Sequence, residues 1–194
     1  MYDFIFYCNL GLQHVLDLNA YDHLLFLTAL AIPFSFKEWK KVFILVSIFT
    51  IAHCTSLALA GIGFLQANVE IVEFLIPITI VFTALFNLYW INGTRRESRS
   101  HFLEFSTLIF GLVHGLGFSN YFKMIVAGED TILRPLIAFA SGIELAQLLI
   151  ILIVLGLSSA ISSLFGVNYY HRTSGVLILV VLMTIPLLYQ TWPF

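Results

Sequence analysis

Long apolar runs broken by short polar clusters dominate the chain. They are continuous rather than alternating, which excludes the strands of a membrane β-barrel. A helix needs about 20 mostly apolar residues to cross a hydrocarbon core about 30 Å thick. Six stretches are read as such spans: 21–36, ending in Pro33-Phe34-Ser35; 42–60, closed by Gly61-Ile62-Gly63; 69–91; 103–125; 135–157, with an extension towards Phe165; and 175–188. The predicted fold class is therefore all-α, a polytopic membrane bundle of about six transmembrane helices in a single domain over residues 1–194. Residues 1–20 form an external or interfacial segment, with Phe4, Ile5, Phe6, Leu10 and Leu12 available to lipid or to the bundle. Met1-Tyr2-Asp3-Phe4 has neither the positive start nor the cleavage site of a secretory signal and is read as part of the working protein.

Composition agrees with a membrane location. Hydrophobic residues make up 60% of the chain and charged residues only 10%, with a mean hydropathy of +0.97, where a soluble domain carries about 25% charge. A net charge of −2 gives no basic field, so nucleic acid is excluded as a partner. Cys8 and Cys54 are far apart and offer neither a disulfide framework nor a zinc ribbon. Lys37, Lys40 and Lys41 follow the first span, Arg95, Arg96 and Arg99 the third, and Arg172 the fifth. Seven of the nine basic residues thus fall on one side, leaving Lys123 and Arg134 on the other. Positive residues are retained on the cytoplasmic side, which puts both termini on the non-cytoplasmic side.

Against this apolar background the ionisable residues inside the spans stand out, because each costs at least about 2.5–3.5 kcal/mol at the bilayer centre unless paired or functional. Asp22 and His23 open the first span, His53 lies in the second, Glu70 and Glu73 open the third, His114 is central to the fourth and Glu144 lies well inside the fifth. At 1.5 Å per residue from the outer end, Glu73 lies about 6 Å deep, His53 about 10 Å, and His114 and Glu144 about 14–16 Å. All fall in the outer half, and independent structural residues would scatter over both. They are read as one site or one inward path, with His14 and Asp17 as a further pair on one face if that segment is helical. Glu70 is read as a solvated helix-start charge, and His101 and His171 as ordinary loop residues. Imidazole with carboxylate suits a borderline divalent metal, and ligand type alone does not choose among nickel, cobalt, zinc, manganese and iron. Cys54 points about 100° away from His53 on a helix and is left out of the ligand set.

Small residues flank the site: Gly111, Gly115 and Gly117 around His114, and Ser141 and Gly142 before Glu144, predicting closely approaching backbones. Asn87 and Gln147 are candidates for orienting the imidazoles. The aromatic residues, 15% of the chain, are read as mostly lipid-facing Phe, with Tyr89, Trp90, Tyr189 and Trp192 as an interfacial belt. The inner halves of the spans hold few polar residues besides Asn87, Ser106 and Thr107.

The motifs resemble those of the HupE/UreJ family: Gly11-Leu12-Gln13-His14, then Tyr21-Asp22-His23-Leu24-Leu25-Phe26-Leu27, Phe49-Thr50-Ile51-Ala52-His53, Val72-Glu73, Phe110 to Phe118 (FGLVHGLGF), and Gly142-Ile143-Glu144. The resemblance covers roughly residues 11–150. It implies a small polytopic membrane protein linked with nickel or cobalt supply. By that resemblance His14, Asp22, His23 and His114 would be metal-contacting or transport-essential, with His53, Glu73 and Glu144 at other characteristic polar positions. The chain departs from the family pattern in the wider spacing of seven residues between His14 and Asp22, and in Gly111 and Gly117 where the pattern has a His and a Glu.

The expected function is a transition-metal permease of the bacterial plasma membrane, with nickel or cobalt as the favoured divalent ion and zinc as another. The metal and the bilayer are the expected partners, and self-association into a homo-oligomer is left open. No ATP-binding motif is present, which points to passive or proton-linked coupling. The alternative is an intramembrane zinc hydrolase with Glu144 or Glu73 as general base, although neither HExxH nor a nucleophile elbow occurs.

Overall fold

A computed structural model describes residues 4–91 and 96–193, with the side chains of 96–100 left out. The described residues are all-helical: α1 (Phe4–Leu16), α2 (Asp22–Ala31), α3 (Trp39–Gly61), α4 (Val69–Trp90), α5 (Arg96–Val126), α6 (Leu133–Phe165) and α7 (Tyr169–Gln190), with a 3-10 turn at Phe36–Glu38. Helices α3 to α7 are each long and apolar enough to cross a membrane. Asn68 and Asn168 start α4 and α7 by accepting from the backbone N–H of Ile71 and His171, and Gly166 ends α6 in the left-handed conformation at φ +64°.

The first expected span departs from the sequence reading. Instead of a helix over 21–36, the structure has α2, ten residues and about 15 Å long, roughly half a hydrocarbon core. Ile32 still has α geometry and bonds the Thr28 carbonyl, but Pro33 has no N–H with which to continue the ladder, and the helix ends there. The segment at 1–20, read as external or interfacial and available to the bundle, contains the 13-residue helix α1, which packs against α6. Arg95 and the side chains of Arg96 and Arg99, on which part of the orientation argument rests, lie outside the described residues.

Helix α2 is central. Seven of its ten residues are buried, and it packs against α4, α6 and α7, as expected of a short helix that is apolar all round. Around it stand three closely packed pairs: α3 with α5, α1 with α6, and α4 with α7. Two of these pairs depend on glycine. A Cβ at Gly142 would lie 1.9 Å from the Cys8 carbonyl oxygen, and one at Gly11 2.1 Å from that of Phe139, so α1 and α6 touch backbone to backbone. In the same way Gly111 and Gly115 bring α5 onto α3, with a Cβ at Gly115 falling 2.2 Å from the His53 carbonyl oxygen. The close approach expected around His114 is present, and the partner helix is α3.

Replacing Gly142 by Ala is expected to push α1 away from α6, destabilising the protein by about 1–3 kcal/mol and raising thiol labelling of Cys8 in a Cys54→Ser background. Gly156→Ala, where a Cβ meets nothing within 4 Å, serves as the control and should leave both the melting temperature and the labelling rate unchanged or slightly improved.

Candidate metal centre

The two glycine-dependent pairs and α2 converge on one point. The last turn of α1 carries His14, the first turn of α2 carries His23, and α3 and α5 supply His53 and His114. Ring centroids lie 4.7 Å apart for His14 and His23, 5.4 Å for His23 and His114, 5.6 Å for His14 and His53, and 6.1 Å for His23 and His53. Imidazoles sharing one tetrahedral ion at about 2.0–2.1 Å per Zn–N bond have centroids about 5 Å apart, so the spacing is that of a common ligand chamber. As the side chains stand, no three His, Cys, Asp or Glu groups among the described residues converge in ligating geometry, and closure on an ion requires the rings to turn.

Hydrogen bonding identifies which nitrogens face the chamber. His114 Nδ1 lies 2.8 Å from the Phe110 carbonyl oxygen, which can only accept, so Nδ1 carries the proton and Nε2 keeps its lone pair. His23 Nδ1 lies 3.1 Å from Asp22 Oδ1, with the same consequence, and the His23 backbone N–H donates to that oxygen at 2.8 Å. Asp22 thus sits behind His23 as the partner that fixes its tautomer and ring orientation. His14 Nε2, His23 Nε2, His114 Nε2 and both ring nitrogens of His53 are buried without any partner. His53 is fully buried and His114 is 2% exposed. Orphaned polar atoms are costly and rare in interiors, and five on four neighbouring rings fit a cationic ligand.

A sleeve of phenylalanine encloses the rings. Phe118 lies 4.1 Å from His14 and stacks on Phe139 at 5.3 Å, while Phe49 lies 5.2 Å from His114 and 5.8 Å from His53, and Phe26 lies 5.7 Å from His114. Phe26, Phe49 and Phe139 are fully buried, a minority among described phenylalanines that are otherwise mostly exposed or half-buried, as the sequence suggests. A signal for them exists in the sequence. Phe49 precedes His53 by four residues, and Phe110 and Phe118 flank His114 by four on either side, the helical spacing that places them on the same face.

The other candidates are placed elsewhere. Glu73 is exposed near the start of α4. Glu144 is half-buried and accepts hydrogen bonds from Ser47 Oγ and, at 2.7 Å, from Thr50 Oγ1, with no imidazole bonded to it among the described residues. Asn87 and Gln147 do not orient the imidazoles as expected: Asn87 Nδ2 donates to the Ala29 carbonyl on α2, and Gln147 Oε1 faces Thr50 Oγ1 at 2.9 Å. Asp17 is exposed and bonds locally to Asn19. Ser47 and Thr50 escaped the sequence reading because hydroxyl residues in membrane helices usually bond their own backbone, as Thr50 also does to Val46.

Fold and chamber together define a multi-pass membrane protein with a buried, histidine-rich centre. The profile of the HupE / UreJ protein family matches residues 1–192, and the chain belongs to that family, which is associated with nickel and cobalt transport. No curated protein and no solved structure shows significant similarity to it.

Removing any one imidazole should weaken binding of Ni²⁺ or Co²⁺ by more than tenfold in calorimetric titration, and Asp22→Asn by about 10–100-fold through the misoriented His23. Glu73→Gln should leave the affinity unchanged, because its side chain lies outside the buried rings.

Proposed function

We propose that the protein is a permease for a divalent transition metal, nickel or cobalt before zinc, in the bacterial plasma membrane, and that His14, His23, His53 and His114 with Asp22 hold the ion in transit. The observation that carries this reading is the set of five unpartnered imidazole nitrogens, contributed by four different helices and enclosed by aromatic rings. Neutral imidazoles with a single carboxylate bind a dehydrated divalent ion without burying excess negative charge.

The C-terminal end of α1, with its partial negative charge, lies beside His14 and favours a cation there. Entry would be from the outer side, where charge counting also puts both termini, and release would be towards the cytoplasm. The hydrolase alternative lacks a base: Glu73 is exposed, Glu144 is engaged by Ser47 and Thr50, and Asp22 is committed to His23.

Purified protein in liposomes should take up Ni²⁺ or Co²⁺, and His23→Ala and His114→Ala should each lower the initial rate by at least about tenfold. Absence of uptake of every divalent metal tried, by protein that retains its helical circular dichroism and melting transition, would overturn the permease reading.

A further inference from the structure

Towards the α3 N-terminus from the histidine chamber lies a second polar group, built from Ser47 and Thr50 on α3 and Glu144 and Gln147 on α6. Ser47 Oγ meets Glu144 Oε1, Thr50 Oγ1 lies 2.7 Å from Glu144 Oε2, and Thr50 Oγ1 lies 2.9 Å from Gln147 Oε1. Gln147 is fully buried and its Nε2 has no partner. Thr50 is 6% exposed, whereas Ser47 and Glu144 are half-buried at the edge of the seam.

Counting hydrogens shows what the arrangement requires. Each of these three oxygen–oxygen contacts needs a proton, yet Ser47 and Thr50 supply one each, and Gln147 Oε1 supplies none. Two states complete the count. With Glu144 protonated, its Oε2 donates to Thr50 Oγ1 and Thr50 donates to Gln147 Oε1. With Glu144 ionised, the Gln147 amide turns, Nε2 donates to Thr50 Oγ1, and Thr50 donates to the carboxylate.

We propose that Glu144, together with Ser47, Thr50 and Gln147, is an exchangeable proton site separate from the histidine chamber, with the Gln147 amide turning as the proton arrives or leaves. Uptake converts the Glu144 carboxylate to the neutral acid, and release returns the proton to water at the half-exposed edge. The titratable groups nearby are few. Cys54 on α3 feels the Glu144 charge, His53 on the next turn of α3 belongs to the chamber, and Cys8 on α1 has its backbone carbonyl against Gly142. From α2, Asp22 and His23 are bonded to each other, and on α7 Arg172 bonds Ser158 and Ser162, four or more helical turns along α6. Among the described residues no Lys or Arg pairs with Glu144. The site offers proton-linked coupling, one of the two modes open to a permease without an ATP-binding motif, and that use of it rests on the permease reading above.

Infrared difference spectra of the full chain in lipid, recorded from about pH 9 to about pH 4, test the proposal without requiring transport. A carboxylic-acid C=O band should appear on acidification, shift in D₂O, vanish in Glu144→Gln and persist at an altered position in Glu144→Asp. Thr50→Val should move its midpoint to higher pH, by about tenfold in proton affinity, because the ionised form loses a charge-assisted donor. In liposomes, Glu144→Gln should bind the metal normally yet lose the response of uptake to an imposed pH gradient. A wild-type minus Glu144→Gln spectrum that is featureless over the whole range overturns the proposal, and so does an unchanged gradient response in a folded Glu144→Gln protein. A titrating Glu144 band in a protein that moves no metal would uphold the proton site while refuting the permease.

Discussion

Backbone-to-backbone contact between helices is the constraint on which the site depends. Four imidazoles can gather within about 5 Å of one another only if the helices carrying them approach more closely than ordinary side chains permit. Gly11 and Gly142 allow this for α1 against α6, and Gly111 and Gly115 for α5 against α3. In lipid no hydrophobic effect presses helices together, so the close packing that glycine permits supplies the dispersion contacts that hold the pairs. The same residues that stabilise the bundle therefore set the width of the chamber.

Inside that chamber, polarity is limited to what a divalent ion can use. Two of the four rings have their tautomers fixed, His114 by the Phe110 carbonyl and His23 by Asp22, and both leave Nε2 free. The surrounding phenylalanines exclude water and lower the local dielectric, which strengthens the attraction between an ion and its ligands and raises the cost of leaving the nitrogens bare. In the permease reading proposed above, those unpartnered nitrogens are what an incoming ion would satisfy. The Ser47–Thr50–Glu144–Gln147 group differs in chemistry, with hydroxyl, carboxyl and amide oxygens where the chamber has imidazole nitrogens, and in the proposals above the first group holds protons and the chamber holds metal.

Much of this was legible in the residues. Continuous apolar runs identified a helical membrane bundle, because a chain that cannot satisfy backbone groups with water must do so within helices. Isolated ionisable residues at similar depth pointed to a shared centre, and His23, His53 and His114 do meet. His14 also joins them, since its segment is helical. The first stretch reads as a span ending in Pro33-Phe34-Ser35, whereas α2 stops at Ala31 and is only ten residues long, because hydropathy measures apolar length and not the length of the helix itself. Glu144 was grouped with the histidines because depth along a helix axis says nothing about the direction in which a side chain points.

The sequence by itself determined the solvent, the secondary structure and the chemistry of the site, since these follow from local composition, from hydropathy and from the identity of each ionisable side chain. Only the tertiary structure decided which helices pair, that α2 is a buried half-length helix rather than a span, and that Glu144 turns to Ser47 and Thr50 while the imidazoles turn to one another. Those outcomes depend on the azimuth of each helix and on contacts between residues far apart in the chain, quantities that no single stretch of sequence contains.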